Sequence, residues 1–268
     1  MENNKVLFIA QEINPYLPEN PLSIIGRQVP QAIQENGYEV RTFMPKYGMI
    51  NERRNQLHEV IRLSGLNIVI DDNDHPLIIK VATLQPSRMQ IYFIDTEDYF
   101  MKSGAKELEI RSNPEDNDER IMFFVRGVIE TVKKLRWEPA VVHSLGWIAS
   151  LVPLYLKNYY AEDPSFCSSK VIFSLIDDAF EGTLDPRFVE KLKFDGFTDE
   201  QLQLDVNTPV DCFELKKLAI RHSDGVIQTT PVIDDRLADY ARQIGKPFLA
   251  YDAEADMAKA YIDFYNAL

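Results

Sequence analysis

Two carboxylates, Asp177 and Glu181, stand four residues apart in Ile176-Asp177-Asp178-Ala179-Phe180-Glu181-Gly182, directly after an apolar run at residues 170–174. Paired carboxylates at a strand end can act as general acid and base when their pKa values are split, or can hold sugar hydroxyls. Asp177 could equally serve only as a cap for a turn or helix. A second group stands in Ala140-Val141-Val142-His143-Ser144-Leu145-Gly146-Trp147. His143 closes a short apolar strand there, and Trp147 opens the next helix. An indole at that place could stack on a sugar ring, or it could join the Ile148, Leu151 and Val152 stripe in the core. The acidic run Asp71-Asp72-Asn73-Asp74 lacks the alternating ligands, central Gly and terminal Glu of a calcium loop, and reads as a hairpin turn.

These groups need a scaffold that aligns strand ends. Residues 116–157 read as helix, buried strand, tight turn and helix. Ile121, Phe124, Val125, Val128, Ile129, Val132 and Leu135 recur at three- and four-residue steps, the stripe of a helix lying on a sheet. Acidic residues open that helix and Lys133, Lys134 and Arg136 close it, as the helix dipole favours. Residues 140–143 form a buried parallel strand, and residues 147–158 the following helix. Upstream, strand 5–10, loop 11–21, helix 22–36 with Gly37 as its stop, and strand 38–44 make a βαβ start. Residues 49–64 read as a helix with its lead-in, with Arg53, Arg54 and His58 on a solvated face. Three strands follow, at 66–71, 75–84 and 89–95.

Downstream come strand 170–174, a loop with a short helix at 193–207, helix 214–222 and a strand after Ser223. Helix 233–244, strand 247–251 and a last helix end the chain; Ala258, Tyr261, Ile262, Tyr265 and Leu268 share one face of that helix. The expected fold is α/β, a Rossmann-like, mainly parallel sheet flanked by helices, in a single domain over residues 5–268. In such sheets ligands bind beyond the carboxyl ends of the strands, where Ser144 to Trp147 lie.

A net charge of −13 over 268 residues argues against nucleic acid and against an anionic membrane surface as partner. No stretch has the apolar length of a membrane helix, and no signal peptide is expected in front of the first strand. The two cysteines, Cys167 and Cys212, form neither a disulfide framework nor a metal-ligand spacing, so a reducing cytoplasm is the expected location and no metal or cofactor is expected.

Taken together, these stretches resemble the N-terminal domain of the glycogen and bacterial starch synthases. Asp116, Asn117, Arg120, Phe123 and Phe124 match the family's helix. His143, Trp147 and the Leu151-Val152-Pro153 run match its His-X-His-Asp-Trp-His turn and the segment after it. Val6, Leu7, Phe8, Glu12, Pro15, Leu22, Pro30, Ala32 and Gly37 fit its first βα unit, and Pro45-Lys46-Tyr47-Gly48 follows its second strand. Asp177, Ala179, Phe180, Glu181 and Gly182 keep the shape of a later strand end. Asp224, Val226, Thr230 and Pro231 keep another. The resemblance covers about residues 5–232 and implies the N-terminal-domain type of a GT-B glycosyltransferase. Members of that family move glucose from a nucleotide sugar to the non-reducing end of an α-1,4-glucan.

The resemblance makes Glu12, Tyr16, His143, Trp147, Asp177 and Glu181 the candidate substrate-binding residues and assigns no catalytic residue. It also exposes departures. The family's loop lysine, which contacts the nucleotide diphosphate, falls on Pro18, and its paired glycines fall on Asn20 and Pro21. Glycines let a backbone approach phosphate, whereas proline has no N–H to offer. The turn's second His falls on Leu145, its Asp on Gly146 and its last His on Ile148; a later His becomes Ile176.

The expected function is therefore that of a catalytically degenerate relative which binds α-glucan or a protein partner at the strand carboxyl-end face. An active half completed by a separately encoded lobe is the alternative, and a hydrolase using Asp177 and Glu181 is a third class. Tyr16, Leu17, Leu145, Ile148 and Ile176 suggest an apolar face that meets a partner: a second copy in a symmetric dimer, a protein, or the chain's own last helix.

Overall fold

The computed structural model describes residues 4–101, 111–205 and 207–268; residues 1–3, where no leader was expected, and Val206 of the 193–207 loop lie outside them. In chain order the elements are β1 (Lys5–Ala10), α1 (Pro21–Glu35), β2 (Glu39–Pro45), β3 (His58–Glu59), β4 (Leu66–Ile70), β5 (Asn73–Leu84) and β6 (Met89–Asp95). Then come α2 (Asn117–Leu135), β7 (Val141–Leu145), an irregular helical run over residues 147–159, β8 (Lys170–Leu175), α3 (Phe188–Phe194) and α4 (Asp199–Leu202). α5 (Cys212–His222), β9 (Gly225–Gln228), α6 (Asp235–Gln243), β10 (Phe248–Leu249) and α7 (Met257–Ala267) complete the chain.

One sheet runs in the order β10-β9-β8-β7-β1-β2-β6-β5-β3, with β4 paired to β5 beside β3. From β10 to β6 every pairing is parallel, and β5 adds antiparallel pairings to β6, β3 and β4. The α/β architecture expected from the sequence is the one observed. α1 and α7 pack together on one side of the sheet. α2, the 147–159 run, α5 and α6 pack in succession on the other, as right-handed crossovers running in opposite directions from β1 require. Strand order reverses between β1 and β7.

α2 shows what holds the layers together. Ile121, Phe124, Val125, Val128, Ile129 and Val132 have no exposed surface. Each stabilises the fold by about 1.5–3 kcal/mol relative to an exposed position. Asp118 and Glu119 sit at the helix start, Lys133 and Lys134 at its end, and Arg136 closes it in the left-handed conformation (φ 50°). The hairpin at Asp71 and Asp72 forms as expected, with both residues at positive φ (46° and 64°), the turn whose twist suits a two-residue hairpin.

Three stretches differ from the sequence reading. Residues 49–64 are turns with the two-residue strand β3, not a helix. Only Ile50, Leu57 and Leu63 are buried there, at spacings that make no helical stripe, and the Asn51 side chain accepts from the Arg54 amide (2.8 Å) to fix the turn. Residues 147–158 are helical but broken into a 3-10 turn, one α turn and a π turn. Pro153 lacks the N–H that a continuous helix would use at that point. α3 was not foreseen; it is short, and Phe188, Val189 and Leu192 anchor it.

Candidate functional site: the carboxyl ends of β1, β7 and β8

The reversal of strand order places a crevice between the carboxyl ends of β1 and β7, where open α/β sheets bind ligands. The six candidate residues are all carried by the ends of β1, β7 and β8 or the loops that follow. Only Asp177 and Glu181 are exposed. The other four face inward.

After β1, the chain enters a loop that closes on itself. Asn20 caps α1: its side-chain oxygen accepts from the Ser23 amide (2.9 Å), while the Ser23 hydroxyl accepts from the Asn20 amide (3.0 Å). The Ile24 amide is held by the Asn20 carbonyl at 3.0 Å, and Pro21 offers none. Asn20 also donates to Glu12 Oε2 at 2.7 Å, and Arg111 stands 3.6 Å from Glu12 Oε1. Glu12 is thus 4% exposed and ties the loop together. Tyr16 packs edge-on against Phe93 at 4.9 Å, and burial pushes its phenol up to about 12. The close fit depends on Gly26, where a Cβ would lie 2.0 Å from the Glu12 carbonyl oxygen.

After β7, Gly146 turns the chain at φ +93°, and a Cβ there would lie 2.8 Å from that of Gln11. The two amides that follow are both engaged: Trp147 N–H donates to Asp178 Oδ2 (2.7 Å), and Ile148 N–H to Gln11 Oε1 (3.4 Å). Lys216 of α5 closes the arrangement, with Nζ 2.8 Å from Asp178 Oδ1 and 3.2 Å from the Ile176 carbonyl, and a further bond to the Asp178 carbonyl. Burial works against the Lys216 charge, but Asp178, with Cys212 and Asp177 adding to it, leaves the ammonium pKa raised. Chemically, an internal carboxylate occupies the position at which an amide-lined turn would take an anion.

His143 has no exposed surface. Its Nδ1 pairs with the Tyr265 hydroxyl (2.7 Å) and its Nε2 with Ser174 Oγ (2.6 Å). Tyr261 donates to Thr229 Oγ1 (3.1 Å), which donates to Ser174 Oγ (2.8 Å). Ser174 Oγ thus lies between Thr229 and His143, and both nitrogens of the neutral ring are paired. Burial drives the imidazole pKa down to about 3. Trp147 is 2% exposed and meets Phe180 edge-on at 5.0 Å, so neither ring face is open for the sugar stacking weighed from its sequence position.

The apolar face expected from Tyr16, Leu17, Leu145, Ile148 and Ile176 is likewise closed: all five are buried by the chain itself. They offer a second copy no apolar surface. Asp178, Lys216 and Gln11 are the residues at this candidate site that sequence reasoning missed. Asp178 was visible beside Asp177, but nothing in two adjacent carboxylates tells which one turns inward. Lys216 sits unmarked in an amphipathic helix. Among the described residues no group of three or more His, Cys, Asp or Glu is placed to hold a metal ion.

Comparison with known proteins matches this arrangement to a family. Residues 5–257 match the starch synthase catalytic domain. A glycogen synthase of Chlorobaculum parvum is 33% identical over 247 residues, covering 90% of this chain and 47% of that protein. One from Pelodictyon phaeoclathratiforme is 32% identical over 236 residues (88% and 47%), and one from Chlorobium luteolum 36% over 191 residues (71% and 39%). The chain thus spans about half the length of these relatives or less. The catalytic domain of starch synthase IV from Arabidopsis thaliana, solved bound to ADP and acarbose, superposes with a TM-score of 0.73 at 18% identity, over 92% of this chain and 51% of that one. That likeness shows the fold, of GT-B type. By its sequence match and its fold, the chain belongs to the starch synthase catalytic domain family.

Proposed function

We propose that this chain is a glycogen/starch synthase-like glycosyltransferase domain that does not itself transfer glucose and acts by binding α-glucan or a protein partner along the carboxyl edge of its sheet. One observation carries the reading: both amide-bearing turns at the reversal of strand order are already filled from within. Asn20 takes the amides of Ser23 and Ile24 at the start of α1, and Asp178 and Gln11 take those of Trp147 and Ile148 after β7. A nucleotide diphosphate needs charge-assisted donors worth about 1.5–3 kcal/mol each. Here the loop position of the family's lysine is Pro18. Free Cys167 and Cys212 and the charge of −13 support a cytoplasmic location.

The test is a pair of measurements. Radiolabelled glucose from ADP-glucose or UDP-glucose should not enter glycogen above a heat-killed control. ADP should bind no better than about millimolar, roughly −4 kcal/mol, by titration calorimetry. Micromolar ADP binding would mean that the loop does hold phosphate.

An active half completed by a separately encoded lobe is the second reading. Its support is that Asp177 and Glu181 remain exposed at the strand end, free to meet a partner's site. Transfer activity gained only on mixing with such a lobe would favour it.

A further inference from the structure

While the chain closes the crevice between β1 and β7, it opens another on the same edge. Beyond the ends of β9 and β10, a pocket of about 610 Å³ lies between the strand ends and the start of α7, within the size range of small-molecule sites. Gln228, Thr229, Tyr251, Asp252, Met257 and Tyr261 line it, with small alanines between them. Tyr251 is 41% exposed, so much of its ring is open to a ligand. No Lys, Arg or His lines the pocket among the described residues. In a chain of net charge −13, that lining rejects phosphates and other anions. Aromatic and thioether surface beside an amide, a hydroxyl and a carboxylate suits a neutral ring with one apolar face and a rim of hydroxyls.

The pocket is also pre-organised. Its floor, Thr229 and Tyr261, belongs to the hydrogen-bonded chain that runs through Ser174 to His143 and Tyr265. α7 is therefore held on the sheet from below, and the pocket wall that α7 supplies is fixed before any ligand arrives.

We propose that this pocket is a binding site for a neutral sugar, taking the terminal glucosyl units of an α-glucan against Tyr251. The inference rests on the glucan-binding reading above and adds where the glucan is held. It is tested by calorimetric titration of the whole chain with maltotriose and with adenosine. Maltotriose should bind, and adenosine should neither bind nor displace it. Tyr251→Ala should weaken maltotriose at least tenfold. Ala253→Trp, which fills the pocket without removing a hydrogen bond, should do the same at an unchanged melting temperature. Tyr159→Ala, on a separate exposed ring, should change nothing. Maltotriose binding that survives both pocket variants would overturn this site while leaving glucan binding standing. Failure of the unaltered chain to bind maltotriose or glycogen would remove both readings. Saturation by adenosine in place of the sugar would overturn the choice of ligand.

Discussion

The backbone amide of Trp147 and the carboxylate oxygen Oδ2 of Asp178 lie 2.7 Å apart, joining the turn after β7 to the loop after β8. The other oxygen of the same carboxylate meets the Lys216 ammonium at 2.8 Å, and both side chains are more than nine-tenths buried. One group thus satisfies an amide that would otherwise face the crevice and neutralises a buried cation. Removing half of a buried ion pair leaves the other charge uncompensated, which typically costs about 3–5 kcal/mol.

Asp178→Ala should therefore lose stability on that scale in urea unfolding. Replacing both partners, as Asp178→Asn with Lys216→Met, should recover a substantial part of it, because no unpaired charge then remains. A loss below about 1 kcal/mol for Asp178→Ala would mean that the pair is no stronger than a surface one.

Gly146 and Gly37 both stand at positive φ, +93° and +89°, but only Gly146 has neighbours in the way of a Cβ. Gly37→Ala should cost only the backbone term, roughly 1–2 kcal/mol. Gly146→Ala adds a clash with Gln11 and should cost more, and it should disturb the Ile148 amide that Gln11 accepts from. Equal losses for the two variants would show that the crevice yields freely.

The contrast between these two glycines also marks how far the sequence could be read. Gly37, as a helix stop, and the apolar strands flanking it are visible from patterning alone, because period and turn chemistry are local. The same holds for the α2 stripe and for the hairpin at Asp71 and Asp72. What the sequence could not show is which polar groups the fold turns inward. Glu12, His143 and Trp147 looked like site residues because their positions match the family's, yet burial and internal hydrogen bonds engage each one here. The plug formed by Gln11 and Asp178 joins residues distant in the chain, and no local signal announces such a contact. Residues 49–64 misled for the opposite reason: a polar stretch carries little periodicity, and isolated anchors such as Leu57 decide its path.

Tyr265→Phe should test how α7 is fastened. The phenol hydroxyl is the partner of His143 Nδ1, so its removal leaves a buried imidazole nitrogen unsatisfied, at about 1–3 kcal/mol. The ring itself still packs. Amide hydrogen exchange should accelerate in α7 more than in β7, since the helix is held by this chain and the strand by the whole sheet. Uniform acceleration throughout the domain would show instead that α7 and the sheet unfold as one unit.

The buried His143 also sets a pH dependence. Its pKa falls from the ordinary 6.5 to about 3 because burial disfavours the charged ring. The folded state thus holds it neutral, while the unfolded chain takes up a proton below about pH 6.5. Stability from this residue is fully present above pH 6.5 and is lost as pH falls toward 3, at about 1.4 kcal/mol per pH unit once the unfolded histidine is protonated. Between pH 7 and pH 5 the loss integrates to about 2 kcal/mol. Burial also lowers the His222 pKa, so that residue contributes in the same direction and the whole-protein slope is not diagnostic. The informative quantity is the difference between the unaltered chain and His143→Gln, which keeps hydrogen-bonding groups but cannot titrate. Urea unfolding at pH 7 and pH 5 should show the variant losing about 2 kcal/mol less than the unaltered chain over that interval. Parallel losses in the two proteins would mean that His143 is reached by protons in the folded state, and that the network joining it to Tyr265 and Ser174 opens readily.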